Sequence, residues 1–392
     1  MTYIFKIIII IYFTLIQFNG FCQLVEIESY YDNDNSKIKE KYFAVTNKTD
    51  TIKQGKYIYY FENGTKMQEG IYIDNQLDSV WNIYYKNGKI KSKITFENNL
   101  KNGEFKQFYQ NGNLKQKAYY KNNLLDGNFF SYYENDTNES VSIYKNGVLE
   151  GISVTYRVDG TIVSQINFKN NVNSGLWESY YDDGSLNYKG IKIGNKYIDT
   201  LFVYYKNGKL QRKCAYKNGE LNGDYISYYD DGNIMSECKY LNNKIEGNFK
   251  EYFKDGNIIA QEGNYKNNKK NGIWKGYYPD GSLFSEGIFK DNLYEDIWKV
   301  YHKNGNLKQT GNFRNGKSEG YWRFFSLNSN IIKQGLYING SQEGIWLFYD
   351  ENGNISSINL FKNGIYDGPV WLYDNNGKLY GKSIINKGEI LE

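Results

Sequence analysis

Gly272-Ile273-Trp274-Lys275-Gly276-Tyr277-Tyr278-Pro279-Asp280-Gly281 reads as a β-strand running into a tight turn. Aromatic and β-branched residues favour strands, and an Asp-Gly or Asn-Gly pair closing such a run is a strong short-range hairpin signal. The stretch recurs along the chain. Marking the second residue of each such turn gives Gly64, Gly88, Gly112, Asp136, Gly160, Gly184, Gly208, Gly232, Gly256, Gly281, Gly305, Ser329, Gly353 and Gly377. The spacing is 24 residues at every step but one, the 25 between Gly256 and Gly281. The residue before each mark is Asn or Asp in all fourteen, types that tolerate the positive φ of a type I′ turn.

A second turn column lies halfway between, at Asp74-Asn75, Asn98-Asn99, Asn122-Asn123, Asn146-Gly147 and Asn170-Asn171, and runs on to Asn363-Gly364. Each repeat therefore holds two turns and two strands of roughly 9 to 11 residues. The fold class that follows is all-β: an elongated, twisted, single-layer antiparallel meander of about fourteen 24-residue hairpins. At ~4.8 Å per strand, 28 strands would extend over roughly 130 Å.

Turn position sets the pairing register. With Asp280-Gly281 as a two-residue turn, Tyr278 pairs with Leu283 and Trp274 with Gly287. Alternation then places Trp274, Tyr278, Leu283, Gly287 and Phe289 on one face, and Lys275, Tyr277 and Glu286 on the other. The same count sets Trp177 opposite Gly190, Trp298 opposite Gly311, Trp322 opposite Gly335 and Tyr57 opposite Gly70, and a ring lying over bare glycine backbone compensates for the missing side chain. The extra residue of the 25-residue step falls within 257–264 and implies a β-bulge that restores alternation. Cys214 and Cys238 share one register with a strand between them, so their Cα atoms should lie ~9–10 Å apart, beyond the ~7 Å that a disulfide spans. Two free thiols are expected.

Composition agrees with a thin sheet. Aromatics make up 18% of the 392 residues, with 41 Tyr and 39 Gly against 2 Pro, while the mean hydropathy of −0.70 suits a structure with much exposed surface. Residues 1–22 stand apart. Lys6 is the only charge before Glu26, an apolar run extends from Ile7 to about Phe18, and Gly20 and Cys22 precede a cut before Gln23, which is the pattern of a secretory signal peptide. The mature chain is then expected to be exported: periplasmic, cell-surface or secreted. Its 47 basic and 44 acidic residues are too evenly spread for nucleic acid. Residues 23–54 read as a degenerate N-terminal cap, 55–380 as the array, and 381–392 as the final strand end.

The copies Tyr84-Tyr85-Lys86-Asn87-Gly88-Lys89-Ile90 and Tyr204-Tyr205-Lys206-Asn207-Gly208-Lys209-Leu210, with the Gly-x-Trp segments, resemble the bacterial variant of the MORN repeat (membrane occupation and recognition nexus). The resemblance covers about residues 55–380. It implies a long twisted single-layer sheet, and proteins named after antitoxins or described as membrane-associated or scaffolding. It implies no shared catalytic residue.

The chemistry of a catalytic site is missing from the sequence. His302 is the one histidine and stands in a Tyr slot, as a surface substitution; no Cys/His spacing matches zinc. No Gly-rich loop precedes a helix, so no phosphate cradle is expected. Acidic turn residues such as Asp182-Asp183, Asp230-Asp231 and Asp350-Glu351 read as turn chemistry, with calcium binding along that edge as the second reading. No enzyme activity, cofactor or metal is expected. Trp81, Trp177, Trp274, Trp298, Trp322 and Trp346 fall in one column, read first as rings packing on one another and second as an aromatic groove. Trp274, Tyr278, Trp298, Trp322 and Trp346 are the candidate binding residues. The leading expectation is a scaffold that binds a protein partner along the aromatic face; the alternative is a cell-wall or carbohydrate-binding module. Lys and Arg do not cluster enough to favour a membrane surface.

Overall fold

A computed structural model of the chain describes residues 8–10, 23–46 and 50–391. These are strands and turns, with no helix among them. The chain divides into two compact units, residues 1–195 and 196–392. Each is an open antiparallel meander in which successive strands, mostly 8 to 10 residues long, pair with their sequence neighbours. The proposed signal segment lies outside the described residues except for Ile8–Ile10, whose backbone pairs with Glu26–Glu28 of the strand Gln23–Tyr30.

The two turn columns differ in chemistry. Type I′ geometry, with both central residues left-handed, belongs to the second column: φ is 49° and 66° at Asn98 and Asn99, and 51° and 71° at Asp291 and Asn292. The Asn-Gly column is a three-residue loop instead. The Gly281 N–H donates to Tyr278 O at 2.9 Å and the Tyr278 N–H to Ser282 O at 2.8 Å, a type I turn closed by a left-handed Gly281 (φ +84°). The Asp280 carboxylate accepts the Ser282 N–H at 3.0 Å. Asp and Asn therefore occupy this column for their side-chain acceptor rather than for a positive φ.

The longer loop moves the pairing by one residue, so Tyr277 and not Tyr278 faces Leu283. This corrects the expected face of Leu283, which shares the second face with Tyr277. A bulge at Phe284 then moves the register back, and Trp274 meets Gly287 as expected. The same pair of offsets delivers Trp177 to Gly190, Trp298 to Gly311 and Trp322 to Gly335. The 25-residue step is also resolved differently. Its extra residue sits in the loop, where the Phe253 N–H reaches Ile258 O instead of the residue four positions on. The strand Ile259–Lys266 keeps the usual length and register. A surface loop takes up one residue at little entropic cost, whereas an extra residue in the strand would turn every later side chain to the other face.

Two positions before each tryptophan slot the backbone is left-handed: Gly272 (φ +78°), Gly320 (+72°), Gly344 (+66°), with Ser79 (+58°) and Asp296 (+54°) as side-chain-bearing examples. The ladder to the preceding strand breaks there, between Glu286 and Ile288 for the strand Leu293–Tyr301. The indole mends the break. Trp298 Nε1–H donates to Ile288 O at 3.0 Å, Trp274 to Asn264 O at 3.1 Å, and Trp322 to Asn312 O at 3.1 Å. Each ring consequently lies over the glycine of the strand before it. A Cβ on Gly287 would fall 2.3 Å from the Trp298 ring, and one on Gly311 2.1 Å from that of Trp322. The covered glycine is thus not the hairpin partner that the turn count indicated.

Slots without tryptophan relax the demand. Cys214 stands before Tyr225, Cys238 before Phe249 and Ile94 before Phe105. Trp177 has Ile166 behind it, and its ring meets Tyr188 (4.3 Å) and the Lys192 ammonium (3.2 Å) on the following strand instead. Both described cysteines are buried and unbridged, with Tyr225 paired to each. Burial pushes the Cys238 thiol up to about 11 and raises that of Cys214 as well.

Candidate functional site

Side chains on both turn edges tie neighbouring repeats together. On the Asn-Gly edge the second Tyr of each pair donates its hydroxyl to a carbonyl 23 residues on: Tyr85 to Phe108 O, Tyr205 to Tyr228 O, Tyr278 to Tyr301 O, at 2.7 to 2.9 Å. His302 keeps this bond, with Nε2 at 3.0 Å from Phe325 O, so it is a working replacement for Tyr and more than a tolerated surface residue. On the type I′ edge, carboxylates of Glu295, Glu319 and Glu343 accept the turn N–H groups of Asn315, Asn339 and Asn363 at 2.8 to 2.9 Å.

The first face closes on itself. Trp274, Trp298, Trp322 and Trp346 are exposed by only 2%, 8%, 4% and 0%. Phe289 stands edge-on between Trp274 and Trp298, and Tyr337 between Trp322 and Trp346. Such edge-to-face pairs contribute ~0.5–1.5 kcal/mol each beyond burial. The structure therefore brings these four candidates into one continuous ladder, but it leaves no indole face open to a ligand. Tyr278 is not part of it: its ring packs on Phe284 at 5.2 Å, in the loop.

The exposed apolar surface is on the second face. The residue before each of these tryptophans is Ile273, Ile297, Tyr321 or Ile345, exposed by 62%, 57%, 73% and 57%. Their cross-strand partners are Ile288, Asn312, Leu336 and Leu360. In the three preceding repeats the same positions hold Thr200, Asp224 and Asn248, paired with Ala215, Lys239 and Asn264. Earlier in the chain these slots also hold exposed apolar residues, Val80, Tyr119, Ile143 and Ile152, but each is paired with a polar one, Thr95, Glu104, Asn128 and Asn167, so the near-continuous apolar row belongs to residues 269–386. Reading the middle residue of Gly-x-Trp as unspecified concealed it; comparing that residue between repeats would have revealed it.

Beside this row, tyrosines of the second face bond to carboxylates: Tyr277 to Glu262 and Tyr301 to Glu286, at 2.7 and 2.8 Å. Burial, and then these acceptors, push both hydroxyls up to about 12. An open cavity of 650 Å³ lies at the turn edge next to Ile288, where Lys266, Lys269 and Lys290 stand among Asp291, Glu295 and Asp296; the mixed charges select no ligand. No group of three metal-ligating side chains occurs among the described residues.

Ten segments match the family model described as MORN repeat variant: residues 53–74, 77–98, 101–122, 174–191, 200–218, 221–242, 245–267, 270–291, 297–315 and 342–363. Together they span more than half of the chain. The chain belongs to the MORN repeat variant family. The MORN architecture continues through the stretches between the matches. Residues 123–173 lack tryptophan and stitch the first face with hydroxyl pairs, Ser131 to Ser140 and Ser142 to Ser153 at 2.7 Å, while their strands pair in the common register. Comparison with curated proteins finds no match. Among solved structures, one described as TcdB2-TccC3-Cdc42 is 11% identical over 93% of this chain and 26% of that one, at a TM-score of 0.14. A protein from Lactobacillus plantarum is 10% identical over 95% of this chain and 100% of that one, at 0.12. At these scores neither likeness bears on fold or function. A MORN array of this kind is a repeat architecture built from one sheet-forming unit.

Proposed function

We propose that the protein is an exported, non-enzymatic scaffold that binds a protein partner, and that binding uses the second face of residues 269–386. The observation that supports this most is the row Ile273, Ile297, Tyr321 and Ile345, more than half exposed in four successive repeats. Side chains so exposed add little to the sheet's own packing, and contiguous apolar surface of this extent marks contact sites. The covered indoles speak against sugar stacking on the tryptophan column. Export rests on the pattern of residues 1–22.

The purified mature chain is immobilised and exposed to an envelope extract, and retained proteins are identified by mass spectrometry. A discrete protein retained by the wild type and lost with Tyr321→Lys and Ile345→Lys is expected. Trp298→Ala should lower the melting temperature and leave capture intact. Capture that survives the second-face changes and fails with Trp298→Ala in a still-folded protein would return the site to the tryptophan face.

A further inference from the structure

Resting on that reading of the second face, we propose that the partner it is shaped for is a second copy of this chain, packed sheet on sheet.

The first argument is area. The apolar row crosses the ten strands from Lys269–Tyr277 to Leu379–Asn386, and nine strand spacings of ~4.8 Å make it about 43 Å long. Three side-chain rows, from Ile345 through Leu347 to Tyr349, give a width of about 14 Å at ~3.4 Å per residue. The face is then about 600 Å² per copy, and a contact over nine of the ten strands buries about 1,100 Å² in the two copies, just above the ~1,000 Å² that a specific interface must clear.

The second argument is shape. A single-layer sheet presents parallel rows at fixed spacing, and the complement that matches those rows along their whole length is another sheet face, stacked about 10 Å away. An identical copy carries the same spacing.

Charge supplies the third. In a two-fold contact, groups near the axis meet their own counterparts, and like charges there cost several kcal/mol. The neighbouring row is uncharged at Leu347, Ile358 and Trp371, with Arg323 and Lys382 two strands to either side of Leu347 and Ile358 and with Lys275, Glu286 and Lys299 farther along. A self-contact with its two-fold axis along the strand Ile331–Ile338 sets Glu286 against Lys382, Lys299 against Trp371 and Arg323 against Leu347 of the other copy, and so opposes no like charges in that row.

Sedimentation velocity of the mature chain from 1 to 100 µM tests this. A concentration-dependent dimer is expected. Tyr321→Lys and Ile345→Lys should each weaken it at least 10-fold with unchanged circular dichroism, while Tyr119→Lys, exposed in the other unit, should leave it intact. A wild type that stays monomeric at 100 µM, or a dimer indifferent to the second-face changes, overturns the proposal. If the wild type is monomeric yet those changes abolish capture of an envelope protein, self-association falls and the binding face stands.

Discussion

Gly311→Ala should be among the most damaging single-methyl additions this protein can receive. Gly311 is buried and its φ is not left-handed, so the strand backbone accepts alanine without strain. The damage comes from the ring behind it. The new Cβ would lie 2.1, 2.3 and 2.4 Å from three atoms of the Trp322 indole, and ordinary carbon contacts require ~3.5–4.0 Å. The ring must therefore move by more than about 1 Å. That motion breaks the 3.1 Å bond from Trp322 Nε1 to Asn312 O, leaving a buried group unsatisfied at about 1–3 kcal/mol. It also disturbs the edge-to-face contacts with Phe313 and Tyr337, worth ~0.5–1.5 kcal/mol each. The expected loss is about 3–5 kcal/mol, the range for removing a buried tryptophan altogether. The chain contains the remedy. Where alanine occupies the glycine slot, at Ala118, the ring slot holds Phe129, so Gly311→Ala combined with Trp322→Phe should recover stability, with a coupling of about 1–3 kcal/mol. Native-state hydrogen exchange of residues 307–325 reads the local opening energy that matters in an array. A loss below about 1 kcal/mol for Gly311→Ala, or a double variant no more stable than Gly311→Ala alone, would refute the coupling of ring and glycine.

Gly344→Ala adds a methyl that meets nothing within 4 Å, but at φ +66°, so it should cost about 1–2 kcal/mol in urea unfolding through backbone strain alone. Asp296→Gly, at φ +54°, should gain up to ~1 kcal/mol by relieving the same strain; a loss would contradict the assignment. His302→Phe should cost about 1 kcal/mol by removing the bond to Phe325 O, and His302→Tyr should be neutral or stabilising. Tyr84, Tyr180, Tyr252, Tyr277 and Tyr301 are each pushed up to about 12 by burial and a glutamate acceptor. The folded state holds these protons more tightly than the unfolded chain, which releases them near pH ~10. Stability should therefore be unaffected by these groups below pH 10 and fall as pH rises toward 12. Urea midpoints that stay flat across that interval would count against the tyrosine–glutamate pairs.

The period, the meander and the tryptophan–glycine hairpin pairs were all legible in the sequence, because a 24-residue spacing leaves little freedom in where strands begin. The pairs came out right for a reason the count did not contain. Taking Asp280-Gly281 as a two-residue turn misplaced Tyr278 and Leu283, and the bulge at Phe284 cancelled the error before Trp274 was reached. Which glycine a ring covers was not legible, since that depends on the left-handed residue two positions before it and on the ladder break it causes. The same limit governed the site. Alternation assigns Trp298 to a face, but only the packing of Phe289 and Tyr294 against it determines that its surface is closed. The strand Ile259–Lys266 carries at Ala260 the bulge that the other hairpins also have, and the extra residue of the 25-residue step sits in the loop before it, because loops absorb insertions more cheaply than strands do.

The repeat separates what folds the sheet from what the sheet can contact. Its hydrogen-bonding side chains are committed to neighbours: tyrosine hydroxyls on one edge, glutamates on the other, indole N–H groups across the breaks. Its indole rings are committed to the first face. The residue between the left-handed position and the tryptophan is bound by neither demand, since it points away from the ladder and forms no turn. That is why it can be Thr200, Asp224 and Asn248 in one stretch and Ile273, Ile297, Tyr321 and Ile345 in the next with no change in strand register. Exchanging Ile297 or Ile345 for a polar residue should accordingly shift stability by no more than about 0.5 kcal/mol, as for other exposed positions. A position whose residue is indifferent to the fold, yet apolar and exposed in four consecutive repeats, points to a demand from outside the sheet, and that demand is what the second-face substitutions isolate.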